Sequence, residues 1–293
     1  GLAMITKLMK ANMGIMITAS HNPYDDNGMK LFGPDGMKLS DKIEKKIEKI
    51  IDTKTEKHLI HPEKLGRVKR LETGTDLYID ILKKNFPKNF NLKNIKIVLD
   101  CANGASYKVV PEIFWELGAQ VTVIGNQPNG KNINLNCGST NTELLKKIVI
   151  EESADIGIAL DGDADRMIIV DEKGKEVDGN LLFAAIVKNW NDRGLLENKS
   201  VASTIMANFA LENYLSSLGI DLVRTNVGDR HLVKSMRENN LKIGGEPSGH
   251  IVMSNFGTTG DGLIASLQVL SMMSSEDRPI SELVNLFELS FGA

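Results

Sequence analysis

Apolar residues recur along this chain with two periods, and the switching between them marks out its elements. Short apolar runs of strand character occupy 14–17, 95–100, 120–124, 155–160, 167–170, 200–204 and 221–225. Between them the spacing turns helical, over 2–9, 76–84, 142–151, 179–192, 208–218, 229–238 and 261–273, with a last helix from Ser281 running almost to the end. Ser40 can cap a helix whose apolar positions Ile43, Ile47, Ile50 and Ile51 oppose a lysine and glutamate face. A further helical stretch runs towards Leu117 and is closed by Gly118, although Pro111 inside it blurs its boundaries. Asp25-Asp26-Asn27-Gly28 predicts a tight turn into a strand over 29–32, and Gly33-Pro34-Asp35-Gly36 turns the chain again. An Asn-, Lys- and Phe-rich loop is expected before residue 94, and 241–243 should lead into a glycine-rich loop.

From about residue 95 strands and helices alternate, which predicts an α/β fold of sheets with substantial parallel character covered by helices. Functional loops should then sit at the carboxyl ends of strands. The grammar repeats after Gly179, so the two α/β units could be distant copies. The expected division is a partial first domain over 1–75, a second over 76–176 and a third over 177–293.

At 293 residues the chain can build two or three domains with real cores. Its 38 acidic and 35 basic residues give a net charge of −3, too balanced for a nucleic-acid surface or an electrostatic membrane anchor. The partners are expected to be small molecules. Cys101 and Cys137 are too few for a disulfide framework and lack the clustering of a zinc site, so a reducing cytoplasm is the expected location. No apolar run approaches the ~20 residues of a membrane helix. Gly1 leads straight into a helical pattern with no start signal, so the true beginning is expected to lie upstream.

Chemistry is concentrated in three stretches. Thr18-Ala19-Ser20-His21-Asn22-Pro23 sets a hydroxyl and an imidazole at the end of a strand-like run, a position from which Ser20 can present its oxygen as a nucleophile. Alone, this hexapeptide is equally an ordinary surface turn. Asp161-Gly162-Asp163-Ala164-Asp165-Arg166 crowds three carboxylates into one turn between two strands; they repel unless a cation or protons compensate, and a divalent metal site, of magnesium or calcium rather than zinc, is the favoured reading. The spacing touches that of an EF-hand, with Glu172 at the twelfth position, but Arg166 stands where that loop needs glycine. Gly244-Gly245-Glu246-Pro247-Ser248-Gly249-His250 offers a carboxylate, a hydroxyl and an imidazole suited to sugar hydroxyls, and it matches neither nucleotide-phosphate pattern.

In this order and spacing, T-A-S-H-N-P, D-G-D-x-D-R and G-E-x-S-G-H resemble the α-D-phosphohexomutase family. Asn136-Cys137-Gly138-Ser139-Thr140, Arg224-Thr225-Asn226-Val227-Gly228-Asp229-Arg230 and Gly244-Gly245-Glu246 resemble its branch acting on glucosamine phosphates. The resemblance implies tandem Rossmann-like α/β domains with mixed sheets. Part of domain one, and domain four with its R-x-S-G-T-E-P loop, are expected to be lacking here. It implies that Ser20 is a phosphoserine passing phosphoryl groups to and from a sugar phosphate, through a hexosamine or hexose 1,6-bisphosphate that also serves as activator. Ser20, Asp161, Asp163 and Asp165 would hold Mg2+, His21 and Lys30 would assist as acid and base, and Arg166 would contact the reacting phosphate. Lys30 could be a base only with a lowered pKa. Gly245, Glu246, Ser248, His250, Gly228 and Asp229 would bind substrate. The expected activity interconverts 6- and 1-phosphates of the amino sugar for cell-wall precursors, in a full-length enzyme that can form a homodimer. Mannose or glucose phosphates are the alternative substrates, and a non-catalytic piece binding magnesium or a sugar phosphate is the alternative of another class.

Overall fold

The computed structural model describes residues 1–53, 55–84 and 90–290. The first segment holds helix α1 (Leu2–Leu8), strands β1 (Gly14–Thr18) and β2 (Gly28–Phe32), and helix α2 (Asp41–Asp52). Between 74 and 171 follow α3 (Gly74–Lys84), β3 (Lys96–Asp100), α4 (Val109–Glu116), β4 (Gln120–Ile124), α5 (Glu143–Glu151), β5 (Ile156–Leu160) and β6 (Met167–Asp171). Another α/β unit comes next, with α6 (Gly179–Asp192), β7 (Ser200–Thr204), α7 (Phe209–Ser217), β8 (Asp221–Thr225), α8 (Asp229–Glu238), β9 (Ile243–Gly245), β10 (Ile251–Met253), α9 (Gly262–Glu276) and α10 (Ile280–Leu283).

Two four-stranded sheets share one plan. Their orders are β4-β3-β5-β6 and β10-β9-β7-β8, which is the same topology once each unit's strands are counted from its own start. In each, three strands are parallel and the last pairs antiparallel. The reason lies in the connections: helices carry the chain back between parallel strands, whereas the short loops after β5 and β9 leave room only for a reversal. All five residues of β5 are buried, as expected of a central strand covered on both faces. A single apolar core joins the two units, from Leu82 and Phe114 through Ile158 to Trp190 and Leu270. Helix α9 is buried around nearly its whole circumference, and it packs on β6 and α6 across the junction.

The first segment differs from its expected form. Its strands pair antiparallel from Gly14 against Phe32 to Thr18 against Gly28, but the connection is the whole stretch between them, serine turn included, rather than a tight hairpin turn. Ser40 is the N-cap of α2 by backbone only, without a side-chain capping bond. Pro111 is accommodated because it stands in the first turn of α4, where its missing N–H is not needed. Gly244 and Gly245 belong to β9, drawn into the ladder by parallel pairing with Ala202 and Ser203. The final helix ends at Leu283 instead of continuing; Leu286 and Phe287 nevertheless pack on the core. Within the expected Asn-, Lys- and Phe-rich loop, 85–89 lie outside the described residues, as do 291–293 at the end. No helix among the described residues is long and apolar enough to cross a membrane.

Candidate active site

Strand β1 delivers the serine. Just beyond it Ser20 takes a left-handed backbone, φ 53°, a conformation costing a non-glycine residue ~1–2 kcal/mol. Local and long-range bonds hold it there: the Ser20 N–H donates to Thr18 Oγ1 at 2.8 Å, and its carbonyl accepts from the Gly162 N–H at 3.1 Å. His21 Nδ1 lies 3.4 Å from Ser20 Oγ. Burial and then the Arg166 charge push the His21 pKa below its ordinary value, against the opposite pull of Asp165 and Asp163. At neutral pH its ring is therefore uncharged, able to take a proton on one nitrogen.

The carboxylates project from the loop between β5 and β6. Asp161 is fully buried, and its Oδ1 accepts from the Arg166 N–H at 3.1 Å. Lys30, reaching across from β2, donates to Asp163 Oδ2 and, at 3.0 Å, to Asp165 Oδ2. Asp161 Oδ2, Asp163 Oδ1 and Asp165 Oδ1 are buried without a partner among the described residues. Each aspartate offers an oxygen within 4.8 Å of the others. Three carboxylates this close, each with a buried oxygen lacking a hydrogen-bond partner, fit a divalent cation. Burial, then the charges of Asp165 and Asp163, raise the Asp161 pKa, as crowded carboxylates do to one another. Burial also works to raise that of Asp165, but His250 and Lys30 outweigh it and hold it well below the carboxylate range.

Lys30 is held by two of these carboxylates. Burial alone would lower its pKa, yet Asp165 and Asp163 overcome burial and raise it, so the side chain is a firmly held ammonium in this arrangement.

Backbone contacts bring the three stretches together. Gly162 N–H to Ser20 O links the serine turn to the acidic loop, and Met167 N–H to Gly249 O, 3.0 Å, links the acidic loop to the glycine-rich one. Glycine is required in this crowded place: a Cβ on Gly104 would sit 2.6 Å from Gly162 Cα. His250 Nδ1 comes within 3.7 Å of Asp165 Oδ1, while Ser248 Oγ donates to Glu246 Oε2 at 3.3 Å. Glu246 Oε1 and His250 Nε2 are likewise buried without partners among the described residues. Gly245 ends β9 immediately before this loop, and Gly228 caps α8. Asp229 is engaged by Lys38, whose charge, against the effect of burial, lowers the Asp229 pKa. Lys38 joins two hollows: one of about 140 Å³ shared with Lys30, Asp163 and Asp165, and an open cleft of about 750 Å³ towards Arg230 and Thr258.

Sequence reading missed several residues that build this geometry. Asn134 Nδ2 reaches the Ser20 and Asn22 carbonyls, and Asp100 accepts from the Ala102 and Gly138 N–H groups. The alternation Asn132, Asn134, Asn136 is visible as a turn signal, but nothing in it names the loop it faces.

Comparison with known proteins matches three family models in succession: phosphoglucomutase/phosphomannomutase alpha/beta/alpha domain I over residues 1–58, domain II over 76–174 and domain III over 178–289. A phosphoglucosamine mutase of Parvibaculum lavamentivorans is 52% identical over 287 residues, 98% of this chain and 64% of that protein. One of Bartonella henselae is 53% identical, over 98% of this chain and 62% of its own length. The chain thus spans less than two thirds of these relatives. Among solved structures, a phosphoglucomutase/phosphomannomutase family protein of Burkholderia thailandensis superposes with a TM-score of 0.79 at 21% identity, covering 94% of this chain and 58% of the other, a likeness of fold alone.

Proposed function

Because the chain belongs to the phosphoglucomutase/phosphomannomutase family, we propose that it supplies the catalytic part of a phosphoglucosamine mutase. The reaction is the interconversion of glucosamine 6-phosphate and glucosamine 1-phosphate. The observation carrying this reading is the meeting of Ser20, the orphaned Asp161-Asp163-Asp165 oxygens and the Glu246-to-His250 loop at one place, in a chain about half identical to proteins of that name. The proposed units are 1–75 for the serine, 76–176 for the acidic loop and 177–293 for the sugar-binding loop.

Phosphorylated Ser20 gives its phosphoryl group to the free hydroxyl of the sugar phosphate: the Ser20 Oγ–P bond breaks, an O–P bond to the sugar forms, and the proton lost by the sugar hydroxyl passes by way of His21 to Ser20 Oγ. The resulting 1,6-bisphosphate returns its other phosphoryl group to Ser20 Oγ, leaving the isomeric monophosphate. Asp161, Asp163 and Asp165 hold Mg2+, which when bound neutralises charge on the phosphoryl oxygens. His21, 3.4 Å from the hydroxyl, moves the proton at Oγ. Lys30 donates to Asp163 and Asp165 and holds them in place. Arg166 brings positive charge to the reacting phosphate. Glu246, Ser248 and His250 orient the sugar, with Gly228, Asp229 and Gly245 forming the adjoining backbone and rim. A bisphosphate primes Ser20.

Phosphorus NMR of glucosamine 6-phosphate with magnesium and a hexose 1,6-bisphosphate tests the reading, with Ser20→Ala as control. Appearance of the 1-phosphate only with Ser20 supports it. Faster turnover of mannose or glucose phosphates would move the assignment to the other branches of the family, and no conversion of any hexose phosphate would refute catalysis by this chain.

A further inference from the structure

The serine turn has few fixed partners in its own segment. Strands β1 and β2 form a two-stranded sheet, and inside the turn the described contacts are Ser20 N–H to Thr18 Oγ1, Asn22 N–H to Ala19 O and the 3.4 Å approach of His21 Nδ1 to Ser20 Oγ. Its alignment with the acidic loop rests on groups supplied by the second unit. One is the Gly162 N–H. The other is a side chain, Asn134, whose Nδ2 donates to both Ser20 O at 2.9 Å and Asn22 O at 2.8 Å. A single amide thus bridges the carbonyls on either side of His21 and uses both of its hydrogens.

Asn134 is itself held from below. Its N–H donates to Ala102 O at 2.9 Å, and the Ala102 N–H donates to Asp100 Oδ1 at 2.9 Å. Asp100 Oδ2 accepts from the Gly138 N–H at 2.7 Å, so one fully buried carboxylate at the end of β3 fixes the loops on both sides. Asn134 has φ 57°, a left-handed backbone that asparagine tolerates better than most residues.

We propose that Asn134 is a positioning residue for phosphoryl transfer: its amide locks the left-handed Ser20 in register with the three aspartates. This rests on the reading of Ser20 as the phosphoryl carrier. The bridge matters because a misplacement of ~1 Å in a reacting group can cost ~100-fold in rate.

Two variants separate the amide from the backbone. Asn134→Gly keeps the left-handed conformation accessible and deletes the amide; Asn134→Asp keeps the shape but turns the one amide nitrogen that donates both bonds into a carboxylate oxygen facing the two carbonyls. Hydrogen exchange on the metal-free protein reads the position of the turn directly. Exchange at Asn22 and Gly162 is expected to quicken about tenfold in both variants while the amides of β3 and β5 keep their protection. Intact-mass measurement of phosphoryl uptake by Ser20 from glucose 1,6-bisphosphate and magnesium reads the consequence. Its maximal rate should fall ~10- to 100-fold with the half-saturating bisphosphate concentration unchanged.

Wild-type exchange at Asn22 and Gly162 in both variants would overturn the proposal, as would loss of protection throughout the second unit, which marks a merely structural asparagine. Quickened exchange with an unchanged uptake rate would also overturn it. If the wild type takes up no phosphoryl group, the functional reading falls with the transfer role, while exchange still decides whether Asn134 holds the turn.

Discussion

Lys30 and Asp165 are separated by 135 positions in sequence and meet at 3.0 Å. With Asp163, this contact occupies the Oδ2 atoms of two carboxylates and leaves their Oδ1 atoms, with Asp161 Oδ2, without a hydrogen-bond partner among the described residues. A cation held by these aspartates would share their carboxylates with Lys30, and the two positive charges would repel each other. Lys30→Met removes that repulsion, and its Mg2+ affinity by calorimetry is expected to rise about tenfold, or ~1.4 kcal/mol. Ser20-dependent transfer should slow in the same variant. Unchanged or weaker binding would mean that the ammonium mainly orients the aspartates.

Gly104 tests how closely the loops must approach. Its Cα side faces Gly162 so tightly that an added methyl group would lie 2.6 Å from Gly162 Cα, against backbone that cannot swing aside. Gly104→Ala should cost about 1–3 kcal/mol in a urea titration, the range for overpacking. Because Gly162 also donates to Ser20 O, the same change should weaken Mg2+ binding. A variant with wild-type stability and metal affinity would show that the two loops can separate without loss.

The division between what the sequence discloses and what it hides follows from this geometry. Strands such as β5 were legible because a central strand must be apolar along its length, and Asp161, Asp163 and Asp165 because self-repulsion in one turn demands compensation. The Lys30 contact was not legible: an alternating position on β2 says which face a lysine takes, but which acids lie beneath depends on how the segments pack. Asn134 was hidden because its two acceptors are backbone carbonyls, which every residue carries.

Tyr78 and Asp261 make a test by pH. The buried Tyr78 hydroxyl donates to the Asp261 carboxylate, with O···O distances of 2.8 and 2.9 Å. Burial, then the Asp261 charge, raises the Tyr78 pKa well above its ordinary value of 10.0. The folded protein consequently keeps this proton where the unfolded chain loses it. This contribution is complete below pH ~10 and declines above it by up to ~1.4 kcal/mol per pH unit. Tyr78→Phe should remove that part of the alkaline slope and cost about 1–3 kcal/mol at neutral pH, because a buried carboxylate is left with the Leu263 and Ile264 N–H groups but loses its hydroxyl donor. Urea midpoints at pH 8 and pH ~10.5 decide it; equal slopes would contradict the assignment.

Helix α2 offers the converse case, in which a strong sequence pattern is not matched by burial. Ile43, Ile50 and Ile51 are 45%, 41% and 60% exposed, and no residue of the helix is buried. An apolar stripe at helical spacing normally faces a core, where truncating one isoleucine costs ~2–5 kcal/mol. Here the helix is instead tied down at its start by charge, with Arg230 of α8 gripping Asp41 and Glu44. Ile50→Ala should therefore change stability by no more than ~0.5 kcal/mol, whereas Arg230→Ala should release the helix and quicken amide exchange along it. A loss above ~2 kcal/mol for Ile50→Ala would place the stripe under a covering surface in solution and remove the ion pairs as the main tether.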